Sequence, residues 1–214
     1  MRRWLLMGIV LIAAASAVAV WMRRPRVPLT VREPILDHAE TPVTDEAPYT
    51  TYTGRAPYLT VRFEYPSAWQ LREERGEQQA YRQVRFMGPR TGEQRYRPYM
   101  AVFAAPLKSA GGQHGGLEEM LRNYTEHLQL GAEVLQNDQI QVGGVPGQEV
   151  VVAYTSSAWR FHGVKKPGEV PVKTRTVMAQ RGETLYQVTY SADQQTYDRY
   201  AANFQQLLNS LQFQ

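Results

Sequence analysis

The stretch Tyr58-Leu59-Thr60-Val61-Arg62-Phe63-Glu64-Tyr65-Pro66-Ser67-Ala68-Trp69 decides the fold. Leu59, Val61, Phe63 and Tyr65 alternate with Thr60, Arg62 and Glu64, the period of two that belongs to a strand with one face in a core and one in solvent. Pro66, which has no amide donor, ends the run. Downstream the signature recurs. Residues 81–87 put Val84 and Phe86 on one side with Arg82 and Arg85 elsewhere, and 99–104 is apolar throughout, as in a strand interior to a sheet. Further strands are expected at 134–142, 149–154, 172–179 and 184–190, with Gly143-Gly144 and Arg181-Gly182 as turn signals between them.

Two segments follow the helical period instead. Leu117, Met120, Leu121, Tyr124 and Leu128 fall on one face, while Glu118, Glu119, Arg122 and Glu126 lie off it. A second helix is expected from Ser191, with Gln194 three positions on as a capping box. Its apolar face contains Tyr197, Tyr200, Ala201, Phe204, Leu207, Leu208 and Leu211, a spacing that reads as core packing rather than as a ligand stripe. The order is three strands, helix, about four strands, helix. Short connections imply antiparallel pairing, because parallel pairs need long crossovers. The expected fold is α+β, a largely antiparallel sheet of about six to seven strands packed with two amphipathic helices. No internal repeat appears at solenoid periods.

These residues resemble a known superfamily, the PsbP-like proteins, named for an extrinsic photosystem II subunit and including bacterial secreted and lipoprotein members. Tyr65-Pro66-Ser67-Ala68-Trp69 resembles the family's tyrosine-proline-x-glycine-tryptophan turn, with Ala68 where glycine is usual. Val142-Gly143-Gly144-Val145-Pro146-Gly147-Gln148-Glu149 resembles its glycine-bearing hairpin before a long strand. Gly182-Glu183-Thr184-Leu185-Tyr186-Gln187-Val188-Thr189, then Tyr197, Phe204 and Ser210-Leu211-Gln212-Phe213, resembles its C-terminal strand and helix. The match spans residues 58–214. It implies a PsbP-like sandwich and non-enzymatic binding or assembly of other proteins. Photosystem attachment does not carry over, since fold does not dictate function.

Upstream of that domain lie an anchor and a spacer. Residues 4–22 run nineteen positions without a charge, roughly 28 Å of helix at about 1.5 Å per residue, close to the hydrocarbon thickness of a bilayer. Trp4 and Trp21 stand near its ends, with arginines immediately outside. Residues 1–24 are read as an uncleaved single-pass anchor, with the domain on the extracytoplasmic side. Ala15-Ser16-Ala17 and Ala17-Val18-Ala19 also fit a cleaved signal peptide, in which case the domain is secreted or periplasmic. Arg23, Arg24 and Arg26 after the apolar run favour the anchor. Residues 25–57 contain six of the thirteen prolines and read as an extended linker of up to roughly 100 Å at about 3.1 Å per residue.

Charge and composition exclude several functions. The 214 residues carry a formal net charge of +4, but residues 1–26 hold five arginines and no acid. The remainder has 19 basic and 20 acidic side chains, so no polyanion-binding domain is indicated and no nucleic-acid partner is expected. Nine arginines between Arg55 and Arg97 interleave with Glu64, Glu73, Glu74, Glu77 and Glu93, as on a mixed-charge solvated face. Without cysteine there are no disulfides, thiolate metal sites or cysteine nucleophiles.

A catalytic constellation is also missing. His38, His114, His127 and His162 are dispersed, with no i, i+4 histidine pair, HExxH or calcium loop, and there is no GxSxG, P-loop or GxGxxG. No catalytic residue, metal or cofactor is assigned. Gly111-Gly112-Gln113-His114-Gly115-Gly116 precedes a helix, where an anion site is conceivable, but it lacks the lysine and hydroxyl of a phosphate loop and reads as a mobile connector.

The candidate contact surface is the loop 157–171, in which Trp159, Arg160, Phe161, Lys165 and Lys166 crowd together. Tryptophan and arginine are enriched at binding hot spots, and a loop rarely buries two large rings in its own interior. The competing reading folds Trp159 and Phe161 back as a cap on the sheet. The expectation is a non-enzymatic, membrane-tethered extracytoplasmic domain, held by its N-terminal helix and binding a protein partner. Alternatives are a binder of lipid or a small apolar ligand beneath Tyr124 and Phe204, and a small enzyme built from His127, His162 and Glu149.

Overall fold

A computed structural model describes residues 48–54, 59–75, 82–89, 96–128, 131–157 and 169–214, all within one compact unit, Glu40–Gln214. The opening stretch folds as read. Strand β2 (Val61–Pro66) buries Val61 and Phe63 completely and exposes Arg62. It pairs antiparallel with β1 (Tyr49–Thr53) on one side and with β10 (Gln212–Phe213) on the other. At its end the amide of Trp69 donates to Pro66 O at 2.9 Å, and the turn drops the Trp69 indole edge-on against Tyr200 at 5.7 Å. That turn carries the chain out of the three-stranded sheet and into a second, larger one.

The larger sheet takes in β3 (Gln70–Arg75), β4 (Arg82–Met87), β5 (Tyr99–Pro106), β6 (Glu133–Val142), β7 (Val145–Ser157), β8 (Glu169–Arg181) and β9 (Thr184–Asp193). Their spatial order is β3-β4-β5-β9-β8-β7-β6, and every pair is antiparallel. Gly143 and Gly144, at φ 55° and 81°, form the two-residue turn between Val142 and Val145; glycine reaches that left-handed backbone without steric cost. β5 lies between β4 and β9, the interior position its apolar run implies.

The two helices cover opposite faces. Helix α1 (Leu117–Glu126) lays Met120 against Val150, Val152, Met178 and Leu185. Helix α2 (Tyr197–Ser210) lies on the other face, where Phe204 and Leu207 join Met100, Val102, Val188 and Tyr190 in the main core. The three-stranded sheet packs into that same core through Val61, Phe63 and Phe213. Tyr190 stacks on Phe204 at 5.6 Å and donates its hydroxyl to Tyr197 O at 2.6 Å. The architecture is the expected α+β sandwich.

Several boundaries differ from the reading. Residues 49–53, assigned to the linker, form β1 instead. The segment contains no proline, and its Tyr52 ring stacks on Phe63 at 5.1 Å, so local β propensity outweighs the proline-rich surroundings. β3 was not expected because its sequence, QLREER, has no apolar alternation; as an edge strand it buries little, and Leu71 is exposed. The second helix does not start at Ser191. That residue is fully buried in β9, and Asp193 makes the turn, accepting from Gln195 N at 2.8 Å through its carboxylate and from Thr196 N at 3.0 Å through its carbonyl.

Candidate functional site

The expected contact residues Trp159, Arg160, Phe161, Lys165 and Lys166 lie outside the described residues, as do His38, His162, the apolar run 4–22 and most of the linker. Among the described residues, no helix is long and apolar enough to cross a membrane. What the structure does place is the root of the contact loop. Ser157 and Glu169 are paired across β7 and β8, three residues beyond the pair Tyr154–Val172, or about 10 Å along the strands.

Tyr154 in turn lines an open cleft of about 320 Å³ on the α1 face of the large sheet. α1 has ten residues, about 15 Å of helix, too short to cover seven strands. Beyond its end the sheet contributes Gln83, Thr174, Thr176, Gln187 and Thr189 to the cleft. Tyr99, Phe103 and Tyr154 supply aromatic surface from the strands, and Tyr124, His127 and Leu128 close the helix side. Cross-strand pairing sets the polar part, because Thr174 lies opposite Ser191 and Thr176 opposite Thr189. Tyr124 Oη and Thr176 Oγ1 are 3.1 Å apart, Thr176 and Thr189 hydroxyls 3.4 Å, and Gln187 Nε2 donates to Thr189 Oγ1 at 3.2 Å. A second relay joins Tyr96 Oη to Ser191 Oγ at 2.8 Å and Ser191 Oγ to Thr174 Oγ1 at 2.8 Å.

Burial raises the pKa of Tyr96, Tyr99 and Tyr124 above the ordinary phenol value by disfavouring the charged form. For Tyr96 the neighbouring phenols of Tyr99 and Tyr154 add to it, and for Tyr124 the Thr176 hydroxyl bond opposes it. These groups are therefore neutral donors and acceptors at physiological pH, suited to orienting a ligand and unsuited to acting as bases. Beside the cleft, His127 Nδ1 lies 2.7 Å from Asn123 O. A carbonyl only accepts, so Nδ1 carries the proton and Nε2 is the acceptor of the neutral ring.

Of the residues of the enzymatic alternative, His127 and Glu149 are not brought together, and His162 lies outside the described residues. Glu149 lies on the α2 face, buried and paired with Arg175 Nε at 2.6 Å and with Gln136 Nε2 at 3.1 Å, whereas His127 borders the cleft on the other face. Among the described residues no three of His, Asp and Glu gather to hold a metal. Tyr124 and Phe204 likewise sit on opposite faces, so no single apolar cavity lies beneath both, and the cleft at Tyr124 is hydroxyl-lined.

The glycine-rich loop is held by backbone hydrogen bonds. Lys108 N donates to His114 O at 2.8 Å and Gly112 N to Leu107 O at 2.8 Å. A side chain at Gly112 would collide with the Pro106 carbonyl oxygen, 1.6 Å from a built Cβ. The conceivable anion position is filled from within, since Glu119 accepts from Gly115 N at 2.7 Å and from Lys108 Nζ at 2.6 Å. Both bonds lower the Glu119 pKa, the Lys108 contact more than the Gly115 amide.

One further surface was not expected. Among the described residues β6 pairs only with β7, and it is exposed along nearly its whole length. The register shifts between Val134 and Gln136, leaving Leu135 as the extra residue of a bulge, and Val134 and Leu135 are 45% and 48% exposed. The sequence signal for this edge was the adjacent apolar pair, which a regular strand cannot point to one face. The signal for the cleft was hydroxyl or amide side chains at every second position, 174 and 176 in β8 and 187, 189 and 191 in β9.

No protein-family model and no curated protein matches the chain. Among solved structures it is similar to LpqN of Mycobacterium tuberculosis, described as involved in cell envelope biogenesis, at 11% identity and TM-score 0.49 over 77% of this chain and 90% of that one. It is also similar to cyanobacterial PsbP from Synechocystis, at 12% identity and TM-score 0.48 over 85% of this chain and 100% of that one. A Pseudomonas aeruginosa protein of unknown function matches at 15% identity and TM-score 0.40, over 74% of this chain and 92% of that one. The cyanobacterial protein belongs to the superfamily that the sequence resembles.

Proposed function

We propose that this chain is a non-enzymatic, membrane-tethered domain on the extracytoplasmic side that docks a protein partner along the outer edge of β6 and the adjoining segment 158–168. The observation that carries the reading is the half-exposed pair Val134 and Leu135 at the bulge of β6, an edge strand among the described residues. Natural proteins blunt such edges unless they are used, and an open strand edge with apolar neighbours suits strand addition by a partner. Glu133 pairs with Ala153, four residues before Ser157, so the edge and the root of the tryptophan-bearing loop lie at one end of the sheet. The charge-free run 4–22 and the proline-rich linker supply the tether. Tethering raises effective concentration, so modest intrinsic affinity suffices.

The test is photo-crosslinking in intact membranes, with the reactive group placed in turn at Leu135, at Trp159 and, as control, at the exposed Asp198 on α2. One protein adduct common to 135 and 159, absent at 198 and weakened when the linker is shortened, is the expected result. Equal adducts at all three positions, or a measurable turnover with no captured protein, would overturn the docking reading. A mature N-terminus near Val18 or Val20 would remove the tether.

A further inference from the structure

We propose that the cleft on the α1 face binds a neutral, hydroxyl-rich ring, one pyranose unit of an uncharged glycan. This site is separate from the β6 edge and does not depend on the docking reading. Three observations converge on that class of ligand. The first is charge: among the described residues, the thirteen that line the cleft include no Asp, Glu, Lys or Arg. A charged ligand entering it would lose water without gaining a counter-ion. Arg85, stacked 5.4 Å from the centre of the Tyr99 ring, is not part of the lining.

The second is hydrogen-bonding capacity. Tyr124, Thr176 and Thr189 bring three hydroxyl protons, and their two mutual contacts use two of them. Gln187 adds an N–H to Thr189, so one hydroxyl proton of the relay is left to aim outward. Thr174, Thr176 and Thr189 are all more than nine-tenths buried. A lipid chain laid over them would strand that donor, the amide of Gln83 and the part of the Gln187 amide that Thr189 does not engage, at the cost of desolvating each. A sugar hydroxyl both donates and accepts, and matches this mixed array.

The third is shape. Tyr99, Phe103, Tyr124 and Tyr154 add aromatic surface to the polar groups, and the negative face of an aromatic ring attracts the electropositive C–H face of a pyranose. A volume of about 320 Å³ falls at the small end of the ligand-pocket range of about 300–1,000 Å³.

The experiment titrates the full chain, held in a sugar-free detergent, with three neutral probes: chitotriose, cellotriose and maltotriose. Trigalacturonate serves as the charged counterpart, and binding is read by calorimetry. At least one neutral trisaccharide is expected to bind with a Kd of about 1 mM or tighter, with the charged one at least about tenfold weaker, a difference of about 1.4 kcal/mol. Thr176→Val and Gln187→Leu should each weaken binding at least about tenfold. Gln187 is only partly buried, so its variant keeps the test decisive if Thr176→Val fails to fold. Absence of heat with all three neutral probes at about 10 mM, equal binding of trigalacturonate, or unchanged affinity in the folded variants would each overturn the proposal.

Discussion

The two faces of the large sheet are made from the same strands and do opposite work. On the α2 face, the fourteen-residue helix and a second sheet enclose Tyr190, Phe204, Phe63 and Phe86 in an aromatic core. On the α1 face, a ten-residue helix leaves part of the surface uncovered, and hydroxyls and amides occupy the alternate positions of the same strands. Along β9, Tyr186, Val188 and Tyr190 point one way and Gln187, Thr189 and Ser191 the other. Stability and recognition are thus separated by the pleat itself: one residue along a strand changes which task a side chain serves.

The broadest way to break the molecule engages both faces at once, through alkali. Burial raises the pKa of Tyr190 on the α2 face and pushes Tyr197 up to about 12, while Tyr96, Tyr99 and Tyr124 are raised on the cleft face. Below pH 10 the folded and unfolded chains hold the same phenolic protons, so these groups leave stability unchanged. Above it the unfolded chain releases protons first, and stability falls as pH rises from about 10 toward 12. Denaturant melts followed by circular dichroism across that window should show the decline, shallower in Tyr197→Phe and in Tyr99→Phe. A flat profile would mean that the rings are not held out of water.

Single substitutions sharpen the contrast between the faces. Phe204 is fully buried and stacks on Tyr190. Phe204→Ala should cost about 3–5 kcal/mol, the usual penalty for a large ring deleted from a closed core, seen as a lower urea midpoint at unchanged slope. On the cleft face, Tyr124→Phe removes one hydroxyl bonded to Thr176 and should cost about 1 kcal/mol. Comparable losses from the two would mean that the cleft face is as tightly packed as the other.

This asymmetry also governs what could be read from sequence. The α2 face announces itself, because the alternation of Val61 and Phe63 and the helical stripe through Tyr200, Phe204 and Leu207 state where the core is. Elements that bury little were invisible for the same reason. β3 offers only Leu71 among charged and amide residues, and β1 hides between prolines. Ser191 was read as a cap because serine favours helix starts, yet its hydroxyl is satisfied by Tyr96 and Thr174 deep in the sheet, a tertiary contact no local rule contains. The cleft was equally hidden. Thr174 and Thr176 lie on one strand and Gln187 and Thr189 on the next, and only the register of β8 against β9 sets them side by side. Trp159, Arg160, Phe161, Lys165 and Lys166 were singled out by composition alone and fall outside the described residues, so their role rests on crosslinking.

The smallest expected effect on stability tests the proposed docking edge. Leu135 is the extra residue of a bulge, 48% exposed, and the unpaired side of β6 gives it no strand neighbour across the edge. Replacing an exposed side chain away from caps and strained backbone shifts stability by no more than about 0.5 kcal/mol. Lysine is also the residue that edge strands use to repel strand addition. Leu135→Lys should therefore leave the urea midpoint nearly unchanged while abolishing the adduct formed from position 159. Loss of both together would mean that Leu135 packs within the domain and that the edge is covered by the chain itself. Loss of neither would leave β6 an ordinary solvated edge and return the question of docking to the loop alone.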